Sequence, residues 1–334
     1  MLRIFGMDVG EPMFLESSHL RFRAGKQLIS DVPNAPAMWL TMRRDFDDRL
    51  CQLALAAGAV NFTGQALDRI LPEQNEIRLK NGTVVTFQVL LGCDGVNSAV
   101  ARSLFGRAFD PQKIGFGLEI EAPFDPQNPP ENVVDVDFSA ADWGYGWSFP
   151  KRMTTTLGVG GINAKNPAMK QKLRDFLMHN QGKDEWRVKG QYLPFGDFRR
   201  RPGRKNILLA GDAAGLVDPV TGEGIALAMH SGELAAQAAI RAVRQNVATS
   251  ALRHYKRALK PTHRALRQAK IWRLLMFPKP MRGVFQSALA SGTGLQEIYL
   301  NILAGKAEYK DIKGALVSRA PKAVFRMLRS KPRR

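Results

Sequence analysis

The chain has 334 residues, 45% of them hydrophobic, which suits one large globular core or two ordinary ones and excludes an intrinsically disordered protein. Its two cysteines, Cys51 and Cys93, exclude a disulfide framework and a cysteine-based zinc site, and with no other metal-ligating cluster in view no metal is expected. The formal net charge of +19 is unevenly spread: residues 1–240 carry 27 basic and 27 acidic side chains, whereas residues 241–334 carry 22 Lys and Arg against Glu297, Glu308 and Asp311 alone.

The first elements are short. Leu20–Ile29 reads as two strands around an Ala24-Gly25 turn, and Pro33 and Pro36 then break the chain. A helix is expected from Asp45 to Ala57, with Phe46, Leu50, Leu53 and Leu55 as apolar positions and Gly58 as its stop. Val60–Phe62 reads as a strand. Ile77–Leu79 and Thr83–Phe87 form a hairpin about Asn81-Gly82, and Val89–Leu91 is a short buried strand. Cys93 follows that strand and is expected to be a small core residue. Residues 110–200 alternate in the manner of strands, with one helix near Lys170–Met178, and so predict an antiparallel sheet. Ile207–Ala210 is a fully apolar strand, and Ile225–Val243 a long helix in which His230 reads as a packing residue. From Leu252 onward the pattern is helical, punctuated by Pro261, Pro278 and Pro280. There is no internal repeat, no apolar run of about 18 residues that would span a bilayer, and no secretion-type start. A cytoplasmic chain is expected.

Two strand ends carry chemistry. Asp212 follows the apolar strand at the carboxyl edge of a sheet, where open α/β folds bind ligands, and its carboxylate can accept two hydrogen bonds from a ribose or ribityl diol. Gly211 permits close backbone approach. Pro219, Gly222, Gly224 and Ile225 then open a helix whose free N–H groups favour negative charge. Glu223 either faces the ligand or strengthens that helix start. Asp94-Gly95 repeats the strand-end arrangement, although alone it is a common turn. Tyr145, Trp147 and Phe149 alternate onto one strand face as an aromatic wall suited to an isoprenoid chain, and Gly158 and Gly160 leave room for a backbone or ligand to pass. An ordinary aromatic sheet core is the plain alternative.

Taken together, Arg43-x-x-Phe46-Asp47-x-x-Leu50, Gly92-Cys93-Asp94-Gly95-x-x-Ser98 and Gly211-Asp212-Ala213-Ala214 with Pro219-x-x-Gly222-x-Gly224-Ile225 resemble the p-hydroxybenzoate-hydroxylase-like flavoproteins over roughly residues 15–250. Tyr145-x-Trp147-x-Phe149-Pro150, followed by Gly158-x-Gly160, is similar to the pattern of the geranylgeranyl reductases. The resemblance implies a mixed α/β (α+β) fold: an FAD/NAD(P)-binding Rossmann-like domain with an inserted antiparallel substrate-binding sheet and a helical C-terminus. It implies FAD as cofactor, NAD(P)H as electron donor, Asp94 beside the flavin pyrophosphate, and Arg43 near the phosphate and ribityl region. An exposed salt bridge is the alternative for Arg43. The implied reaction is hydride transfer from reduced flavin to a C=C bond of a geranylgeranyl or related prenyl chain. The alternatives are an FAD-dependent monooxygenase or halogenase of the same fold, or an inactive fragment.

The expected organisation is 1–37 substrate-domain strands, 38–106 a first FAD-binding part, 107–200 the substrate-binding sheet, 201–250 a second FAD-binding part, and 251–334 a basic helical region. Gly6, Gly10 and Gly25 do not make the Gly-x-Gly-x-x-Gly turn with which the resembled family opens. The chain is therefore expected to be N-terminally truncated or completed by a separate N-terminal chain, and to hold FAD weakly alone. The basic excess of 251–334 points to an anionic membrane surface on the inner face, with a solvated basic surface as the alternative and nucleic acid not favoured. Within it, Ala323, Val324, Phe325, Met327 and Leu328 among Lys322, Arg326, Arg329, Lys331, Arg333 and Arg334 read as an interfacial helix.

Overall fold

A computed structural model describes residues 13–304, 306, 307 and 309, apart from 126, 182–186 and 291–293. The basic segment 322–334 lies outside the described residues. The strands, in chain order, are β1 (Phe14–Ser17), β2 (Leu20–Ala24), β3 (Gln27–Val32), β4 (Met38–Thr41), β5 (Leu67–Leu71), β6 (Glu76–Leu79), β7 (Val84–Thr86), β8 (Leu90–Gly92), β9 (Gly115–Pro123), β10 (Val134–Asp137), β11 (Gly144–Pro150), β12 (Thr154–Ile162), β13 (Lys189–Leu193), β14 (Gly203–Arg204) and β15 (Ile207–Leu209). The helices are α1 (Arg43–Ala56), α2 (Ala99–Phe105), α3 (Met169–Gln181), α4 (Ile225–Arg244), α5 (Ala251–Ala258), α6 (Lys260–Met276), α7 (Lys279–Ala290) and α8 (Gly294–Leu303).

The largest sheet has seven strands in the order β13-β9-β12-β11-β10-β2-β3. Its pairs are antiparallel except β10 with β2. Period-two alternation divides its faces. Leu118, Ile120, Leu157 and Val159 face α3, whose Met169, Leu173, Phe176 and Leu177 cover them. The opposite face carries Tyr145, Trp147 and Phe149 in register with Gly160, Gly158 and Thr156, which in turn align with Gly117, Glu119 and Glu121. The Trp147 indole lies flat over Gly158, where a β-carbon would overlap the ring, and reaches Gly160 and Gly117. These glycines therefore make room for a side chain of the sheet itself, which corrects the expectation that they clear a path for a ligand or another backbone.

A second, smaller sheet has the order β14-β15-β8, with β15 and β8 parallel. Ile207, Leu208 and Leu209 are wholly buried among α2, α4 and α5, and the buried Tyr255 hydroxyl donates to the Leu209 carbonyl at 2.9 Å. The run β5-β6-β7 makes a three-stranded meander, with Gly82 at φ +87° in its second turn. Val60–Phe62 is not a strand: it leaves α1 as irregular chain with Val60 79% exposed, because three residues with no neighbouring edge gain no ladder bonds. Pro261 falls in the first turn of α6, where its missing N–H costs nothing.

Replacing Gly158 with Ala forces the indole off the sheet and is expected to lower stability by about 1–3 kcal/mol. Urea unfolding checks this. An unchanged midpoint would mean that Trp147 is not packed as described.

Candidate functional site

The site begins where β15 ends. The Ala210 N–H donates to the Gly92 carbonyl of β8 at 3.0 Å, so the two parallel strands release the chain at one edge. Gly211 then turns with φ +55°, its N–H held by Ser231 Oγ of α4 at 2.9 Å. Asp212 follows in a short 3₁₀ turn, Gly211–Ala214. Its half-buried carboxylate accepts no hydrogen bond from any described residue. Burial raises its pKa, and the charge of Arg43 opposes that rise. Asp212 opens on a polar cavity of about 150 Å³ whose walls include Arg107, Asp110, Lys113, Asp197 and Arg199.

The Gly-rich loop is pinned from three directions. Asp218 Oδ1 accepts the N–H groups of Val220 (2.8 Å) and Thr221 (2.9 Å) and the Tyr309 hydroxyl (2.8 Å). The Tyr145 hydroxyl of β11 donates to the Thr221 carbonyl, and its oxygen lies 2.6 Å from where a β-carbon on Gly222 would stand. Gly222, at φ +72°, is thus required for both conformation and space. Pro219 is buried under Gly196. Gly224 ends the loop as the N-cap of α4 without a side-chain cap, beside Asp212 Oδ1, and Ile225 is the first helical residue. Glu223 turns back onto that helix start and accepts from the Ala226 N–H at 2.6 Å, which resolves its role as a cap.

The other expected residues separate. Gly95 sits at φ +72°, but Asp94 is spent on its own chain: it accepts from Ser98 Oγ at 2.6 Å and from the N–H groups of Ala99 and Val100 at 2.7 and 3.1 Å, capping α2. Arg43 begins α1, 62% exposed, in a two-point pair with Asp47 at 3.1 and 3.0 Å, although its charge still reaches Asp212 and Glu119. Cys93 is exposed, because β8 ends at Gly92 and the chain has already left the core. His230 is also exposed, on the outer side of α4, and corrects the packing expectation.

On the aromatic face, Tyr145–Trp147 and Trp147–Phe149 ring centroids are 6.0 and 6.4 Å apart, so the three form a continuous floor. Tyr145 contributes its ring to that floor while its hydroxyl serves the loop. Sequence reasoning missed two carboxylates in the same rows. Glu121 is satisfied by Lys151 Nζ (2.8 Å) and the hydroxyls of Thr154 (3.0 Å) and Thr156 (2.9 Å). Glu119, in register with Gly158 under Trp147, is half-buried and accepts from no described residue; burial and the neighbouring Glu121 raise its pKa. Three-strand register alone gives it meaning, and no sequence motif marks it.

No family model matches the chain. It is 30% identical over 242 residues to the digeranylgeranylglycerophospholipid reductase of Methanocaldococcus jannaschii, spanning 67% of this chain and 61% of that protein. Against the geranylgeranyl diphosphate reductase of Rhodobacter capsulatus it is 31% identical over 212 residues, 59% of this chain and 53% of the other. The chain belongs to the geranylgeranyl reductase family. It spans about half the length of the curated relatives it matches. Its fold is also that of a geranylgeranyl bacteriochlorophyll reductase-like protein from Thermoplasma acidophilum, with a TM-score of 0.70, 22% identity, and coverage of 83% of this chain and 75% of that one. Fold class and family thus agree with the reading of the motifs. Among the described residues, no helix is long and apolar enough to cross a membrane.

A carboxylate desolvated without a donor weakens a fold. Because the folded pKa of Asp212 lies above its unfolded value, its full penalty is present above the folded pKa and disappears as pH falls below the ordinary carboxylate range. Asp212→Asn is therefore expected to raise the urea midpoint of the ligand-free chain at neutral pH and to flatten its fall between acidic and neutral pH. A lower midpoint would reveal a structural partner for Asp212.

Proposed function

We propose that the chain is an FAD-dependent oxidoreductase that saturates C=C bonds of a geranylgeranyl or related prenyl chain, with NAD(P)H as electron donor. The observation that carries this reading is the half-buried carboxylate of Asp212, without a donor among the described residues, set between the start of α4 and the loop tied to the aromatic floor. These residues fit a flavin. A ribityl chain offers Asp212 the hydroxyl donors it lacks, and Gly224 at the start of α4 stands beside it. The names of the two relatives, both prenyl reductases, support the substrate class.

When bound, FAD supplies the hydride chemistry. The chain's own residues do the rest. Asp212 would hold the ribityl chain, and Gly222, by admitting the Tyr145 hydroxyl, would keep the loop fixed beside it. Trp147 and Phe149 offer the prenyl chain an apolar bed and keep water from it. Saturating one C=C bond takes a proton as well as a hydride. Glu119 is placed to donate that proton from its carboxyl, since burial favours the protonated form and no described group competes for it. Glu121, held by Lys151 and two threonines, stays an acceptor.

Two substitutions divide these roles. Asp212→Ala is expected to weaken FAD binding by about tenfold to 150-fold, equal to about 1.5–3 kcal/mol, measured by fluorescence titration. Unchanged affinity would remove the flavin assignment. Glu119→Gln is expected to leave FAD affinity intact and to cut formation of the saturated prenyl product by about 100- to 10,000-fold. In the unsubstituted chain the same rate should fall as pH rises through the elevated Glu119 pKa. Normal turnover in Glu119→Gln, or a hydroxylated or halogenated product from the parent chain, would contradict the proposal.

A further inference from the structure

Between Glu233 and Glu297 the chain has no acidic side chain, yet that stretch holds 12 Lys and Arg. Two of them serve the fold. Arg273 donates to the Phe195 carbonyl at 2.6 Å and lies over the Trp143 and Phe195 rings, and Arg282 sits 3.6 Å from Asp142. The cations of α5 and α6 are used differently. Arg253, Lys256, Arg257, Lys260, Arg264, Arg267 and Lys270 are all exposed, and none forms an ion pair with a described residue.

Their spacing matters as much as their number. The two helices meet at Leu259, whose backbone is itself α-helical. Positions 253, 256, 260, 264, 267, 271 and 274 recur at intervals of three and four, which keeps them on one side of a helix. The stripe is cationic to Arg267 and then turns apolar, with Ile271 57% and Leu274 53% exposed. The guanidiniums of Arg241, Arg253 and Arg257 add to desolvation in lowering the pKa of His254, another sign of uncompensated positive charge there. On the opposite side of α6, Trp272, Met276 and Phe277 enter the core cluster that Tyr145 and Phe149 pack against.

We infer that the exposed stripe of α5 and α6 is a docking surface for an anionic lipid bilayer. Its five cations, with Arg257 and Lys270 beside them and none paired with a described residue, match the charge of lipid phosphates. The terminal Ile271 and Leu274 distinguish a bilayer from nucleic acid, because an interface buries branched aliphatic side chains and a phosphate backbone does not. The inference stands on the helix surface alone and does not require the reductase reading.

Vesicle flotation of the whole chain tests it. Binding is expected to phosphatidylcholine vesicles containing about 30% phosphatidylglycerol, not to pure phosphatidylcholine, and to be largely lost in about 1 M salt. Lys260→Glu/Arg264→Glu/Arg267→Glu should weaken it by about a hundredfold or more, since each cation near such a surface contributes about fivefold. The charge-matched Lys26→Glu/Lys80→Glu/Lys170→Glu should stay within about twofold of the parent. Ile271→Ser/Leu274→Ser should weaken vesicle binding several-fold and leave its salt dependence in place. Parent-like flotation of the first triple variant, or an equal loss in the second, would overturn the inference. So would indifference to Ile271→Ser/Leu274→Ser together with displacement by a short DNA duplex, which would identify a nucleic-acid surface.

Discussion

One buried oxygen organises the functional end of the molecule. Asp218 Oδ1 gathers the amides of Val220 and Thr221 and the hydroxyl of Tyr309, three donors from two distant parts of the chain. Burial raises the pKa of this carboxyl, and those donors act against the rise. Tyr145 takes the far side of the same loop through the Thr221 carbonyl. A Gly-rich segment is entropically costly to order, and here a sheet residue and a residue beyond α8 hold it from opposite sides. With the loop fixed, Gly224 stands beside Asp212 at the start of α4. Each role assigned to the site presupposes this clamp.

The carboxylates divide by whether the chain satisfies them. Asp94, Asp218, Glu121 and Glu223 all accept hydrogen bonds from their own protein, and each holds a loop, a helix start or a strand edge. Asp212 and Glu119 are half-buried and have no such partner among the described residues. A carboxylate whose pKa is shifted by burial beside a specific charge is a candidate for binding or reaction. Asp212 lies at the carboxyl edge of the parallel strands and Glu119 on the aromatic face, and Arg43 is electrostatically felt by both.

What could be read from the sequence was what local chain geometry determines. The apolar strand before Gly211-Asp212, the Gly-rich turn and the helix beyond it are contiguous, so their meaning survives without the rest of the fold. The alternation of Tyr145, Trp147 and Phe149 is equally local. Other features depended on partners far along the chain. Glu119 acquires its setting from Gly158 and Trp147 across two strand pairings, and Tyr309 reaches Asp218 over 91 residues. Cys93 and His230 were misread because an apolar strand or helix nearby says nothing about which side of the last turn faces solvent. Gly158 was legible as a space-maker, but what fills the space is Trp147 itself.

The central claim is that Asp212 is kept without a protein donor so that it can hold the hydroxyls of a flavin. A crystal structure of the chain grown with saturating FAD tests this most directly. The ribityl hydroxyls are expected within hydrogen-bonding distance of the Asp212 carboxylate, and the ring edge against Gly224 and the first turn of α4. Flavin ordered elsewhere, or an Asp212 carboxylate turned onto a protein donor with no flavin beside it, would contradict the account.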